Sequence, residues 1–337
     1  MTQPRQRPAD IWTRLNEISG EAADNVQRQH VVSQATLREF TGSWPGRSGR
    51  LLASMNLDFP NASPRPAGTS KSGFVPDFLR YASRSAEQVW QETETRLPAA
   101  TRAAADGSLF GRPDLVKVIR DAIALHFVRS HQTSMMHEGA WSTVRRQARD
   151  QWLCNEQVLE QAFLKKYGLH LPSRSRGALE LMADELLRPM DALFESGALL
   201  RIRIEHLFAE AKRIADGTGL EIARPIVGEF LIGDTPALAV RIGHDGIGPT
   251  GGVPLGDADQ VVFPLGPHLL ASLGPRNAYG AIPAQLVDAF NGLQVRAAQR
   301  HVYFRPGSGL ERTVRRAARR RSGAEPASQH NEGDATS

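Results

Sequence analysis

The chain of 337 residues is 41% hydrophobic and 23% charged, a globular balance that excludes wholesale disorder and leaves room for a sizeable core. Its single cysteine, Cys154, excludes an internal disulfide and any metal site built from several thiolates. The net charge is +5, but residues 312–337 hold six arginines against three acids, so the other 311 residues carry only +2 and lack the basic footprint of a dedicated nucleic-acid-binding domain.

The opening MTQPRQRPAD has no apolar core of a signal peptide. No run reaches the roughly 18 consecutive apolar residues that a spanning helix needs. Cytoplasmic residence without a membrane partner is the expectation. A short helix fits from 11 to about 29, with Asp10 as N-cap before Ile11, Leu15 and Ile18. In QHVVSQATLREF, Val31 and Val32 suggest an extended piece, and Ser33 can cap a helix that buries Leu37 and Phe40. Leu52, Met55, Leu57 and Phe59 predict a strand over 50–59, between Gly/Ser/Pro loops at 42–49 and 60–73.

The spacing then turns helical. Phe78, Tyr81, Val89 and Leu97 mark a helix from 78 to about 105, which Pro98 kinks or ends. A second starts at Pro113 and buries Leu115, Val118, Ile119, Ala122, Ile123 and Phe127. A third covers about 140–167 and a fourth about 176–215, with Pro189 as its expected break. Cys154 falls inside the third, where a buried small hydrophobe is the favoured reading over a reactive thiol.

After Gly217-Thr218-Gly219 short β-rich pieces alternate with turns, at 229–232, 237–242, 260–263 and 268–273. A last helix at 283–299 and a strand at 301–304 follow. Long helices followed by clustered strands make the fold class α+β: a helix-rich body packed with a small, mostly antiparallel sheet. The layout is an N-terminal segment to 27, one domain over 28–306 and an Arg-rich tail over 307–337. The tail begins with a brief helix and ends in a disordered segment almost without apolar residues.

No motif identifies a chemistry. GxxxxGK[ST], GxSxG, HExxH and CxxC are all missing, and IGHDGIGPTGG (242–252) lacks the lysine and helix of a phosphate cradle, so it reads as a loop or hairpin. His126, His131 and His137 diverge around their helix and read as surface or helix-end residues. His30 sits where an extended piece meets a helix start, which suits a neutral base or ligand as well as a turn-fixing histidine. Asp234, in FLIGDTPAL, suits both turn chemistry and a carboxylate at a strand end.

The order QHVVSQATLREF, AEQVWQETETRL, AIALHFVRS, FLIGDTPAL, VFPLGPHLLASL and DAFNGLQVRAAQRHVYF resembles the bacterial domain-of-unknown-function family DUF4238 over roughly residues 28–306. The matching positions are His30, Leu37, Arg38, Phe40, Glu87, Glu94, Arg129, Asp234, Pro236 and Asn291. The sequence departs at Ser33, where the family more often has proline, and at Gly233, where serine is common. The resemblance implies no activity.

Two functions stay open. One is a hydrolase acting on a phosphoester or nucleic acid, with His30, Glu94, Arg129, Asp234 and Asn291 gathered in one cleft. The histidine and carboxylates would then hold a divalent metal or serve as base, and Arg129 would clamp an anion. The other is a non-catalytic module for nucleic acid or a protein partner, tethered by Arg312, Arg315, Arg316, Arg319, Arg320 and Arg321. A purely structural role competes with both. In it His30 is a satisfied histidine, Asp234 and Asn291 cap turns, and Glu94 pairs with Arg129 between helices.

Overall fold

The computed structural model describes residues 8–20, 26–170, 175–243, 246–249 and 258–322. In chain order the elements are α1 (Pro8–Ser19), β1 (Arg28–His30), α2 (Gln34–Glu39), β2 (Gly42–Trp44), β3 (Arg47–Asn56), β4 (Arg65–Ala67) and β5 (Phe74–Pro76). Then come α3 (Ser83–Asp106), α4 (Pro113–Val128), α5 (His131–Leu153), α6 (Glu156–Tyr167), α7 (Arg176–Glu195) and α8 (Ala198–Asp216). The rest is β6 (Gly219–Pro225), β7 (Ile232–Gly233), β8 (Leu238–Gly243), β9 (Gly246–Pro249), β10 (Gln260–Gly266), β11 (Leu269–Gly274), β12 (Ala278–Ile282), α9 (Ala284–Ala297), β13 (His301–Phe304) and α10 (Glu311–Ser322).

The α+β fold is built on a six-stranded sheet in the order β12-β6-β11-β10-β8-β9, antiparallel except where β12 runs parallel to β6. Strand side chains alternate between faces, and β10 shows why both faces are covered. Val261, Phe263 and Leu265 join a core with α2, α3, α4 and α8, whereas Val262 joins Val287, Phe290 and Leu293 of α9. Burying both faces explains an apolar run where alternation would mark a half-exposed strand.

A second sheet, β2-β3-β13-β7 with β4 beside β3, ties the segment before residue 60 to the segment after 300 through pairs such as Met55 with Val302. Its apolar side packs on Val295 of α9 and on Leu310, Val314, Ala317 and Ala318 at α10. The Arg-rich stretch is therefore a docked helix over 311–322; the expected disorder beyond 322 lies outside the described residues. A third, smaller core of Leu153, Leu159, Leu179, Met182 and Ala183 holds α5, α6 and α7 together.

Several boundaries differ from the sequence reading. Helix α1 begins at Pro8, so Asp10 lies inside it. Pro98 is carried within α3 and Pro189 within α7. The fourth helix breaks instead at Ser196 and Gly197, where the glycine takes a left-handed φ of 84°. The third helix is two, α5 and α6, and Cys154 is exposed at their junction rather than buried: the inward position is Leu153. The glycine-rich 242–252 segment contributes to a β8–β9 hairpin, with 244–245 and 250–252 outside the described residues.

Candidate functional site

The start of α2 creates the first half of the site. Ser33 caps the helix by accepting from the Thr36 N–H at 3.2 Å, as its place before an apolar helical run predicts. That bend leaves the Ser33 N–H facing inward, where it donates to Nε2 of His126 on α4 at 3.1 Å. His126 donates from Nδ1 to the Ala122 carbonyl at 2.7 Å and packs on Phe263, 4.6 Å between ring centres. It is fully buried, which corrects its reading as a surface or helix-end residue. Burial first, and Arg129 second, lower its pKa to about 4.

His30, at the end of β1, is half-buried. Its Nδ1 lies 3.1 Å from the Ser72 carbonyl and its Nε2 lies 2.9 Å from the Gln34 amide nitrogen. A carbonyl only accepts, so Nδ1 carries the proton and Nε2 accepts from Gln34, which leaves the ring neutral. Burial, then Arg129, lower its pKa below the usual histidine value. The Ser72 carbonyl is held in place by its neighbour. Gly73 has a φ of 64°, and an added Cβ would sit 2.9 Å from Cβ of Val32. Its N–H donates to the Tyr303 hydroxyl at 2.9 Å.

The second half comes from α3 and the end of α4. Glu87, Trp90 and Glu94 recur at helical spacing on one side of α3 and surround Arg129, the residue after α4. The Arg129 side chain is 1% exposed. Nη2 donates to Glu94 Oε1 at 2.6 Å, and the guanidinium carbon lies 4.9 Å from the centre of the Trp90 ring. Nη1 is 3.9 Å from Glu87 Oε2, too far for a hydrogen bond. Arg129 Nε, Arg129 Nη1 and Glu87 Oε1 are buried without a hydrogen-bond partner among the described residues. Each such group costs about 1–3 kcal/mol. The carboxylates reach solvent, at 30% exposure for Glu87 and 26% for Glu94. Burial raises the Glu87 pKa, opposed by Arg129 and assisted by Glu94.

The structure thus pairs Glu94 with Arg129 and puts His30 within electrostatic reach of both, with Glu87, Trp90, Gln34 and His126 around them. Asp234 and Asn291 form no hydrogen bond or ion pair with that group among the described residues. Asp234 accepts from the backbone N–H groups of Gln299, Arg300 and His301 at 2.6, 2.8 and 2.8 Å, and so fixes the link between α9 and β13. Asn291 accepts from the Leu231 N–H at 2.9 Å and donates to the Glu229 carbonyl at 2.8 Å. Gln294, one turn later, accepts from the Gly233 N–H and donates to the Pro236 carbonyl, both at 2.9 Å. Gly233 is needed for this approach, since a Cβ there would lie 2.9 Å from Cβ of Ala298.

Among the described residues no three His, Cys, Asp or Glu side chains gather to hold a metal ion, and no helix is long and apolar enough to cross a membrane. A surface depression of about 530 Å³ lies along α5, α6 and α7, beside Arg145, Tyr167 and Asp191, and none of its lining residues belongs to the Arg129 group. Sequence reasoning missed Gln34, Trp90 and Gln294 and set His126 aside. The legible signals were the shared helical face of Glu87, Trp90 and Glu94 and the i, i+3 amides Asn291 and Gln294.

No curated protein and no solved structure matches the chain. The model of a family described as protein of unknown function (DUF4238) matches residues 28–308, from β1 through β13 and so across every residue of the Arg129 group and the Asp234 link, and the chain belongs to that family.

Proposed function

We propose that the chain is a hydrolase-like enzyme acting on a phosphoester, with its chemistry at His30, Glu87, Glu94 and Arg129. The observation that carries this reading is the pair of buried, unpartnered donors on Arg129, Nε and Nη1. A guanidinium with Nη2 held by Glu94, and with Nε and Nη1 unpartnered among the described residues, suits a phosphate oxygen that a local opening admits. Burial favours the protonated form of Glu87, which can donate to the departing ester oxygen. His30 is neutral, and its Nε2 can take the proton of an attacking water once the Gln34 amide moves aside. The water oxygen then bonds to phosphorus as the ester P–O bond breaks. Asp234 and Asn291 serve this reading by holding backbone, and a divalent metal would need ligands from the substrate as well.

The test is turnover of bis(p-nitrophenyl) phosphate and p-nitrophenyl phosphate by the purified chain, with and without added Mg²⁺ or Mn²⁺. Glu87→Gln and His30→Gln are each expected to lower kcat about 100-fold or more at unchanged melting temperature. Wild-type inertness toward both esters, or full activity in both variants, overturns the reading.

A further inference from the structure

Helix α10 presents its charge on a fixed surface. Val314, Ala317 and Ala318 are buried against α9 and the second sheet, while Arg312, Arg316, Arg319 and Arg320 are exposed. Arg321 is committed to anchoring, through the carbonyls of Ala298 and Gln299, and Arg315 lies 3.8 Å from Glu311. Arg316 faces Asp288 at 3.5 Å, but both side chains are more than half exposed, so water screens the pair. Arg312, Arg319 and Arg320 have no acidic partner among the described residues. Arg296 of α9 is partly buried and lies within electrostatic reach of Arg320, and burial first and that second cation next disfavour its charge.

We propose that this arginine face, Arg312, Arg316, Arg319 and Arg320 with Arg296 beside them, binds the sugar-phosphate backbone of nucleic acid. The spacing i, i+4, i+7, i+8 places the four on one stripe about 12 Å long at ~1.5 Å per residue. Laid along a duplex, that length passes about three phosphates of each strand at ~3.4 Å of axis per strand, enough for one contact from each of the four arginines. The exposed face carries no apolar side chain, whereas protein interfaces have an apolar centre, so the surface fits a uniform polyanion better than an acidic protein. Helix stabilisation does not account for the stripe. Cations in the last turn favour the helix dipole, but Arg312 lies in the first turn, where the dipole repels it. The surface is separate from the Arg129 group, and its test needs no turnover.

The experiment is fluorescence anisotropy of the full chain with a labelled single-stranded DNA, its duplex, an RNA of the same sequence, and polyglutamate. Four phosphate contacts on duplex predict a slope of log K on log salt near −3.6, about a hundredfold weakening between about 50 and 200 mM. Replacing Arg312, Arg316, Arg319 and Arg320 by Gln is expected to abolish the low-salt binding. A charge-matched control, Arg146, Lys165, Arg176 and Arg188 to Gln, is expected to bind as wild type. Should the fourfold variant melt early, Arg312→Gln with Arg319→Gln replaces it, with half the slope lost. No wild-type binding to any nucleic acid, equal loss in the control, an unchanged variant, or equally tight binding of polyglutamate each overturns the proposal.

Discussion

The Arg129 group and the Asn291–Gln294 clamp both bury polar side chains against backbone, yet they close their hydrogen bonds differently. In the clamp every amide atom meets a backbone partner: Asn291 takes Leu231 and Glu229, and Gln294 takes Gly233 and Pro236. In the Arg129 group two guanidinium nitrogens and one carboxylate oxygen have no hydrogen-bond partner among the described residues. Satisfied buried polar groups specify a structure, whereas unsatisfied ones cost stability and so point to something the chain does not supply itself. The clamp belongs to the architecture of α9 and the second sheet; the Arg129 group has unused capacity.

The largest expected effect is at the clamp. Asn291→Ala strands the Leu231 N–H and the Glu229 carbonyl and should cost about 4 kcal/mol in urea unfolding. Arg129→Met should cost less, about 1–2 kcal/mol, because it removes two unsatisfied donor nitrogens along with the ion pairs to Glu94 and Glu87, and both carboxylates are partly exposed and regain water. If Arg129→Met proves the more damaging of the two, the contrast between the regions fails.

Acid is the next lever. The folded state holds His126 near a pKa of about 4 against 6.5 for the free side chain, so the unfolded chain gains the proton first as pH falls. Stability should be unaffected above pH ~7, decline below ~6.5 and lose about 3 kcal/mol by pH ~4. Urea midpoints across that range should fall less in His126→Gln, and equal slopes would remove His126 as the cause. Asp234→Asn, which keeps one acceptor oxygen for three N–H groups, should cost about 1–2 kcal/mol by the same assay. The smallest change is expected for Glu87→Gln. The folded protein resists ionising Glu87, so folding opposes its charge above pH ~4.5. The neutral amide should therefore leave the chain equal or slightly more stable at pH 7, by less than about 1 kcal/mol. A clear loss would mark Glu87 as a structural partner of Arg129.

Much of the scaffold was legible because its signals are local. Ser33 caps α2, Pro113 opens α4, and β13 occupies the predicted 301–304. Strands β6 and β12 were missed because a parallel pair of short, Gly-containing segments has no pattern of its own until it meets β11. The break between α7 and α8 depends on a left-handed Gly197, which competes in sequence with the more conspicuous Pro189. At the candidate site, His30 stood out as a polar residue at an element end, and Glu94 and Arg129 through the family resemblance. His126 did not: its partner is an amide 93 residues earlier, and periodicity alone assigns a position to a helix face without saying what covers that face.

Pro98 has a further consequence for α3. An α-helical residue 98 would give its amide hydrogen to the carbonyl of Glu94, and proline has none to give. The ladder is therefore interrupted at the residue whose side chain grips Arg129. Two cooperative stretches follow, one before the interruption with Glu87, Trp90 and Glu94, and one after it with Ala100, Ala103 and Ala104; both reach the main core, the first through Ala86, Trp90 and Leu97. Native-state hydrogen exchange should register them as separate units. The carboxylates can then unlatch from the guanidinium in a local fluctuation while the body of the molecule stays folded.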